Sequence, residues 1–340
     1  MEQEFNFQCA TCGQRHDDLP DTPHEEHMQK EPTKPVDLQF RSEHLGDEAA
    51  IEEVNCRAFA CMDEPHVVHL MRQYHPGYDP RYSVLAWDGE AAVGHILGTP
   101  LNMRLMGKNV RAVGIGPVAV MPGYQKRGIG GQLLSHIHDL ARREGFALTF
   151  LYGHPTYYPR YGYQACFGGA HVTIDRELLP KPTMTFRRLP VRQADIPWLV
   201  ERHAAELADV DFGWPWGTCL SEWTIPAMNC LMWWSMDGRR AAYTMTRQGH
   251  DTCKLLLADD PALAREVLAT IRPATLDHHP AGWLARQVLD PAWGTAQAEA
   301  WSAAMAYELQ PGVLQPYLVA RTSGERLPGM TMFPLPFLAC

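Results

Sequence analysis

One stretch constrains the fold more than any other: Gly116-Pro117-Val118-Ala119-Val120-Met121-Pro122-Gly123-Tyr124-Gln125-Lys126-Arg127-Gly128-Ile129-Gly130-Gly131-Gln132-Leu133-Leu134. Its apolar start reads as a strand and its glycines as a turn. Ile129, Leu133, Ile137, Leu140 and Ala141 then fall on one face of a helix. Arg142 and Arg143 suit the last turn of that helix, and Gly145 its exit. A turn that opens straight into a helix leaves the first N–H groups without internal partners, and the helix dipole adds partial positive charge there. Such an end accepts phosphate oxygens. Gly128, Gly130 and Gly131 have no side chains to obstruct a diphosphate, and Lys126 and Arg127 add cationic groups. The spacing is not a P-loop, since no Gly-Lys-Ser/Thr ends it, and it is not the dinucleotide fingerprint.

Around this unit the chain alternates strands and helices. Residues 36–40 alternate like a strand, Asp47 is placed to cap a helix carrying Ala50, Ile51, Val54 and Phe59, and a second helix follows over 65–73. Residues 82–87 and 91–97 read as strands joined by the tight turn Asp88-Gly89. Residues 113–120 form the strand before the glycine turn, 147–152 the strand after the helix, and 170–174 are expected to close the unit. A linker containing Pro180, Lys181 and Pro182 precedes a second pass through similar elements. That pass has a strand over 185–189, a helix carrying Ile196, Leu199 and Val200, a strand over 253–257, and a helix capped by Asp260 with Pro261 at its first position. The expected division is a Cys- and His-containing tail or small module over 1–35, an α/β unit with a mixed sheet over 36–176, and a second such unit over 185–340. In the second unit Asp259 and Asp260 stand where the glycine turn would be; carboxylates there satisfy the helix start and repel a diphosphate.

A chain of 340 residues with an apolar share of 46% can build two cores of this kind. The formal net charge of −9 argues against nucleic acid or an anionic membrane as the main partner, because both attract basic faces. No apolar run approaches the ~18 residues of a spanning helix, and the polar, acidic N-terminus lacks the pattern of a secretory leader. A soluble, cytoplasmic protein is the expectation, with the oligomeric state left open. Nine cysteines, an odd number scattered mostly among apolar neighbours, read as small buried hydrophobes.

Gln125, Gly128 and Gly130 match the pattern Q/R-x-x-G-x-G/A, and with the element order above the chain resembles the GNAT acetyltransferase superfamily over about residues 36–175. The resemblance implies a GNAT fold followed by a degenerate GNAT-like second domain. It implies that acetyl-CoA is bound by Gln125, Lys126, Arg127, Gly128, Ile129, Gly130 and Gly131. It also implies that the preceding strand splays from its neighbour, so that the backbone of Val118, Ala119 and Val120 pairs with the pantetheine arm and polarises the thioester carbonyl. A second stretch, Tyr158-Pro159-Arg160-Tyr161-Gly162-Tyr163, is similar to the Y-x-R-F-G-F/Y segment of one GNAT branch, which includes aminoglycoside acetyltransferases of the enhanced-intracellular-survival type. That branch uses the tyrosine to protonate the leaving thiolate, a role that falls on Tyr158; a phenol near its ordinary pKa of about 10 can do this. The branch's proposed base, the C-terminal carboxylate, corresponds to that of Cys340. The chain is too short for the branch's third, sterol-carrier-like domain, and the N-terminal module is not part of its pattern. The implied activity is N-acetylation, by direct attack of an amine of a small molecule or peptide on acetyl-CoA. The competing reading is a sensor or interaction protein that binds acyl-CoA without transferring the acyl group.

Cys9, Cys12 and His16 have a spacing that suits tetrahedral zinc, with His24 or His27 as a further ligand. A single C-x-x-C is half a site, and an unstructured tail is the other reading. His95 and His154 are candidates for a proton relay or for structural roles. Asp63 and Glu64 could attract a cationic amine or form a solvated helix start. Trp214, Trp216, Trp223, Trp233 and Trp234 are expected in the core of the second unit.

Overall fold

The structure, a computed structural model, describes residues 38–225, 228–247 and 251–330. The chain falls into two compact units. The first holds the described residues up to Pro100 together with Ile115–Glu144; the second holds Leu101–Gly114 and the described residues from Gly145 on. The elements begin β1 (Leu38–Ser42), α1 (Glu48–Phe59), α2 (Asp63–Tyr74), β2 (Ser83–Asp88), β3 (Ala91–Leu105), β4 (Lys108–Val120), α3 (Ile129–Arg143), β5 (Leu148–Tyr152), β6 (Gln164–Ala165) and β7 (Phe167–Ile174). They continue β8 (Phe186–Pro190), α4 (Ile196–Glu206), α5 (Leu220–Trp223), β9 (Met228–Ser235), β10 (Arg240–Arg247), β11 (Thr252–Leu257), α6 (Pro261–Ile271), β12 (Thr275–Leu276), α7 (Trp283–Gln287), β13 (Gly294–Ala300), β14 (Ala304–Glu308), α8 (Gln315–Thr322) and β15 (Gly329–Met330). One order, a strand, two helices, three strands, a helix and a strand, occurs twice, as β1 to β5 and as β8 to β12. No helix among the described residues is long and apolar enough to cross a membrane.

In the first unit β1, β2 and β3 form an antiparallel meander, with Phe40 opposite Ala86 and Val84 opposite Ile96. Ile51 of α1 and Val67, Val68 and Met71 of α2 pack against Leu85 and Leu97. α3 buries Ile129, Leu133, Leu134, Ile137 and Ala141. Gly94 on β3 permits its close approach, since a Cβ there would lie 3.1 Å from Leu133 Cδ1 and 3.2 Å from Ile129 Cγ2. Asp47 occupies the N-cap position of α1 but makes no cap bond. Its carboxylate is taken instead by Arg41, at 2.6 and 2.9 Å, and by the His44 N–H.

In the second unit the first half of β4 runs parallel to β5, from Ala112 opposite Leu148 to Gly114 opposite Phe150. Residues 170–174, expected to close the unit, lie in β7, which pairs with β12 and, over Gly168–Ile174, with β13. The partner of β5 is β14, with Ala306 opposite Phe150. Gly168 and Gly169 draw β7 to β13: a Cβ would fall 2.0 Å from Glu299 O at the first and 2.0 Å from the Trp301 ring at the second. β7 belongs to a sheet of order β13-β7-β12-β11-β10-β9-β8. One core gathers Phe150, Phe167, Phe212 and Tyr317, with the rings of Phe167 and Phe212 stacked at 4.5 Å. A second core holds Trp233, Val267, Leu268 and Leu284. Of the five tryptophans expected in the core, Trp214, Trp216, Trp223 and Trp233 are buried, whereas Trp234 is partly exposed, with the Arg240 guanidinium 5.0 Å over its ring.

Candidate active site

β4 ends at Val120, and the chain turns at once into α3. The Met121 N–H donates to Val93 O at 2.9 Å, Gln125 Nε2 donates to Val120 O at 3.1 Å, and the Tyr124 hydroxyl donates to Asp88 Oδ2 at 2.8 Å. Lys126 (φ +62°) and Gly128 (φ +80°) then wind the backbone left-handed into Ile129. No side chain caps α3, so its first-turn N–H groups are left for another acceptor. A Cβ on Gly123 or Gly128 would meet nothing within 4 Å, and the space over the turn is open. Gln125, Lys126, Arg127 and Gly128 are exposed, while Ile129 and Gly130 are buried and anchor the helix start. Gly131 follows in its first turn. The arrangement can hold an anion by backbone amides, dipole and nearby cations together.

Among the described residues, β4 runs beyond its pairing with β5. Its register with β5 ends at Gly114 opposite Phe150, while β4 runs on through Val118, Ala119 and Val120 and β5 runs on to Tyr152. Pro117 has no N–H and donates no ladder bond. The Ala119 side chain is buried; those of Val118 and Val120 are partly exposed.

Tyr158 opens a short 3-10 turn, Tyr158–Tyr161, which ends at Gly162 (φ +88°). The Tyr163 N–H donates back to Tyr158 O at 3.4 Å. The Tyr158 ring meets Tyr157 edge-on at 5.0 Å and Tyr163 at 5.8 Å. Among the four tyrosines of this segment, three have engaged hydroxyls: Tyr163 with Thr149 Oγ1 at 2.8 Å, and Tyr161 with Tyr157 at 3.4 Å. The Tyr158 hydroxyl has no hydrogen-bond partner among the described residues. Burial pushes its pKa up to about 12, so the phenol keeps its proton at neutral pH.

His95 is not a relay. It is fully buried, with Nδ1 2.9 Å from Asn55 Nδ2 and Nε2 3.0 Å from Ser83 Oγ, and burial holds its pKa down at about 3. His154 is exposed, with Nδ1 3.1 Å from Thr156 Oγ1. Glu64, in the first turn of α2, accepts from Cys61 Sγ at 2.9 Å. Cys9, Cys12 and His16, the module over 1–35, and Cys340 all lie outside the described residues. Among the described residues, no group of three or more His, Cys, Asp or Glu could hold a metal ion. Sequence reasoning treated Asp88 only as a turn residue and passed over Tyr124; their contact joins positions 36 apart, which no local spacing signals.

The repeated order β8 to β12 allows a comparison inside the second unit. β11 and β12 are parallel only from Thr252 opposite Thr275 to Cys253 opposite Leu276, and β11 then runs on to Leu257. On that extension the Leu256 N–H donates to His278 Nε2 at 2.9 Å. The proton of the neutral imidazole is therefore on Nδ1, which donates to Glu206 Oε1 at 2.9 Å. Glu206 Oε2 accepts the Leu284 N–H at 2.8 Å. Asp260 Oδ1 accepts from the Ala262 and Leu263 N–H groups at 2.8 and 3.4 Å, the cap expected for α6. The open strand N–H and the open helix start are both satisfied internally.

The family described as an acetyltransferase (GNAT) domain matches residues 40–166. An uncharacterized N-acetyltransferase, YjhQ of Escherichia coli (strain K12), is 35% identical over 129 residues, which are 38% of this chain and 71% of that protein. A GCN5-related N-acetyltransferase from Kribbella flavida has a similar fold, with a TM-score of 0.59 at 18% identity over 80% of this chain and 72% of that one. Eis1 from Mycobacterium abscessus is also similar in fold, with a TM-score of 0.57 at 16% identity over 82% of this chain and 75% of that one.

Proposed function

The chain belongs to the GNAT family of acetyl-CoA-dependent N-acetyltransferases, and within that family we propose that residues 125–131 seat the diphosphate of acetyl-CoA, that Val118, Ala119 and Val120 hold its thioester arm, and that Tyr158 is the general acid. The acceptor is proposed to be an amine of a small molecule or peptide. One observation carries the reading: α3 begins without a side-chain cap, behind the left-handed residues Lys126 and Gly128, with open space above Gly128.

An alkyl ammonium must first lose a proton, since its pKa is about 10. The neutral amine then attacks the thioester carbonyl, whose developing oxyanion is stabilised by backbone N–H groups of β4, and the now cationic nitrogen releases a proton to water as the intermediate collapses to the amide. As the carbon–sulfur bond breaks, the thiolate takes the proton of the Tyr158 hydroxyl, and the phenolate is re-protonated from water. The hydroxyl suits this because no described residue engages it and burial keeps it protonated.

Calorimetry tests the seat. Gly128→Glu should abolish acetyl-CoA binding, whereas Gly128→Ala, which bears the same φ strain without charge or length, should retain part of it. Unchanged binding by Gly128→Glu would rule out the seat. A thiol-release assay across simple amines, polyamines, aminoglycosides and peptides tests the reaction. Tight acetyl-CoA binding with no release for any amine would favour the sensor.

A further inference from the structure

We propose that Tyr124 and Asp88 form a latch that holds the turn before α3 in its binding conformation, which makes both of them positioning residues for acetyl-CoA. The proposal rests on the seat assigned to residues 125–131.

The turn needs such a device. Lys126 sits at φ +62°, where a side chain is disfavoured, and Gly128 follows at φ +80°. A strained backbone persists only where its surroundings over-determine it. Two of the bonds that fix the turn act at its ends: Met121 N–H to Val93 O of β3, and Gln125 Nε2 to Val120 O. Neither ties residues 122–124 to the sheet. Tyr124 does, through its 2.8 Å bond to Asp88. Asp88 is itself fixed, at the end of β2, with Leu38 of β1 opposite it on one side and Ala91 of β3 on the other. The anchor is the β1–β2–β3 meander of a larger sheet rather than another loop.

The same ring orders a cation. The Arg127 guanidinium lies 5.1 Å over the Tyr124 ring. Arginine has a long side chain with much rotamer freedom, and a stacked guanidinium gives up less of it on meeting an anion. One hydroxyl–carboxylate bond therefore fixes both the backbone amides and the charged group beside them. A turn held in the binding state avoids the loss of affinity that follows when only a fraction of molecules is competent.

Calorimetry and steady-state thiol release on the full chain test the latch with Tyr124→Phe, Asp88→Ala, Asp88→Asn, and Tyr124→Phe combined with Asp88→Ala. Tyr124→Phe and Asp88→Ala should each raise the acetyl-CoA Kd and KM about fivefold, while kcat at saturation changes less than twofold. The double variant should be no worse than either single one, because the same bond is removed twice. Asp88→Asn keeps an acceptor and should stay within twofold of the parent. Additive losses, an Asp88→Asn variant as poor as Asp88→Ala, or a lowered melting temperature with unchanged Kd would each overturn the latch. Gly128→Glu separates the two readings. Binding that survives it removes the seat and the latch together; binding lost there but normal in Tyr124→Phe removes the latch alone.

Discussion

A methyl group placed on Gly153 would lie 2.2 Å from Cε2 and 2.8 Å from Cδ2 of Tyr158. No pair of non-bonded carbons approaches so closely, so the phenol can occupy its place only because residue 153 has no side chain. Gly153→Ala should push the ring aside while leaving residues 125–131 untouched. The expected result is a fall in kcat of roughly 10²-fold, the scale of a displacement of about 1 Å at a reacting group, with the acetyl-CoA Kd unchanged by calorimetry. Normal turnover would show that the position of the Tyr158 ring does not matter to the reaction.

Tyr158→Phe removes the hydroxyl and keeps the ring contacts with Tyr157 and Tyr163. Turnover should drop by about 10²-fold, at the low end for loss of a general acid because a thiolate is a good leaving group. The acetyl-CoA Kd should stay the same. The raised pKa of Tyr158 also bears on the pH profile of the parent protein. An ordinary phenol would lose its proton near pH 10; one held near 12 should leave kcat flat through pH 10. A decline in kcat centred well below pH 10 would point to another acid.

What the sequence disclosed was what lies close together in it. The glycine turn, the apolar face of α3 and the Asp260 cap each occupy a few consecutive residues, and their spacing carries their structure. The extents of β3 and β4 were less legible. They meet at Met106 (φ +48°) and Gly107 (φ +76°), a tight turn with methionine where asparagine or aspartate is the usual signal. Pairing was the least legible. Alternation marks β7 as a strand, but its partners β12 and β13 come about 100 or more residues later, and only the close approach at Gly168 and Gly169 selects β13. The Tyr124–Asp88 and Gly153–Tyr158 contacts depend on the finished fold in the same way.

The second unit should not bind a second acetyl-CoA, even with its helix start opened. Asp260→Ala removes the cap of α6 and should cost about 1 kcal/mol of stability. It leaves the Leu256 N–H bonded to His278, and His278 to Glu206, so the extension of β11 still offers no free donor there. Calorimetry should give one equivalent of acetyl-CoA per chain for the parent and for Asp260→Ala alike. A second equivalent in the variant would show that the aspartate alone had closed the site.

Two deeply buried imidazoles contribute to the response of stability to acid. His95 in the first unit and His203 in the second are both held neutral by burial, each with its pKa lowered to about 3. Below about pH 6.5 the unfolded chain takes up a proton on each, and the folded chain does not until pH approaches 3. The unfolded state therefore binds more protons in that window, and stability falls as pH falls, by roughly 1.4 kcal/mol per pH unit for each histidine once well below pH 6.5. Urea unfolding between pH 6.5 and 5 reads the histidine contribution, to which His75 and His138, held down at about 4 by burial, also add, and it stays above the range near pH 4 where the carboxylates of the unfolded chain titrate. His95→Gln retains hydrogen-bonding capacity toward Asn55 and Ser83 but cannot titrate, and it should reduce the proton uptake on unfolding by about one at pH 5. An unchanged pH slope in that variant would mean that His95 already accepts its proton within the folded protein, at odds with the closed Asn55–His95–Ser83 chain in which it sits.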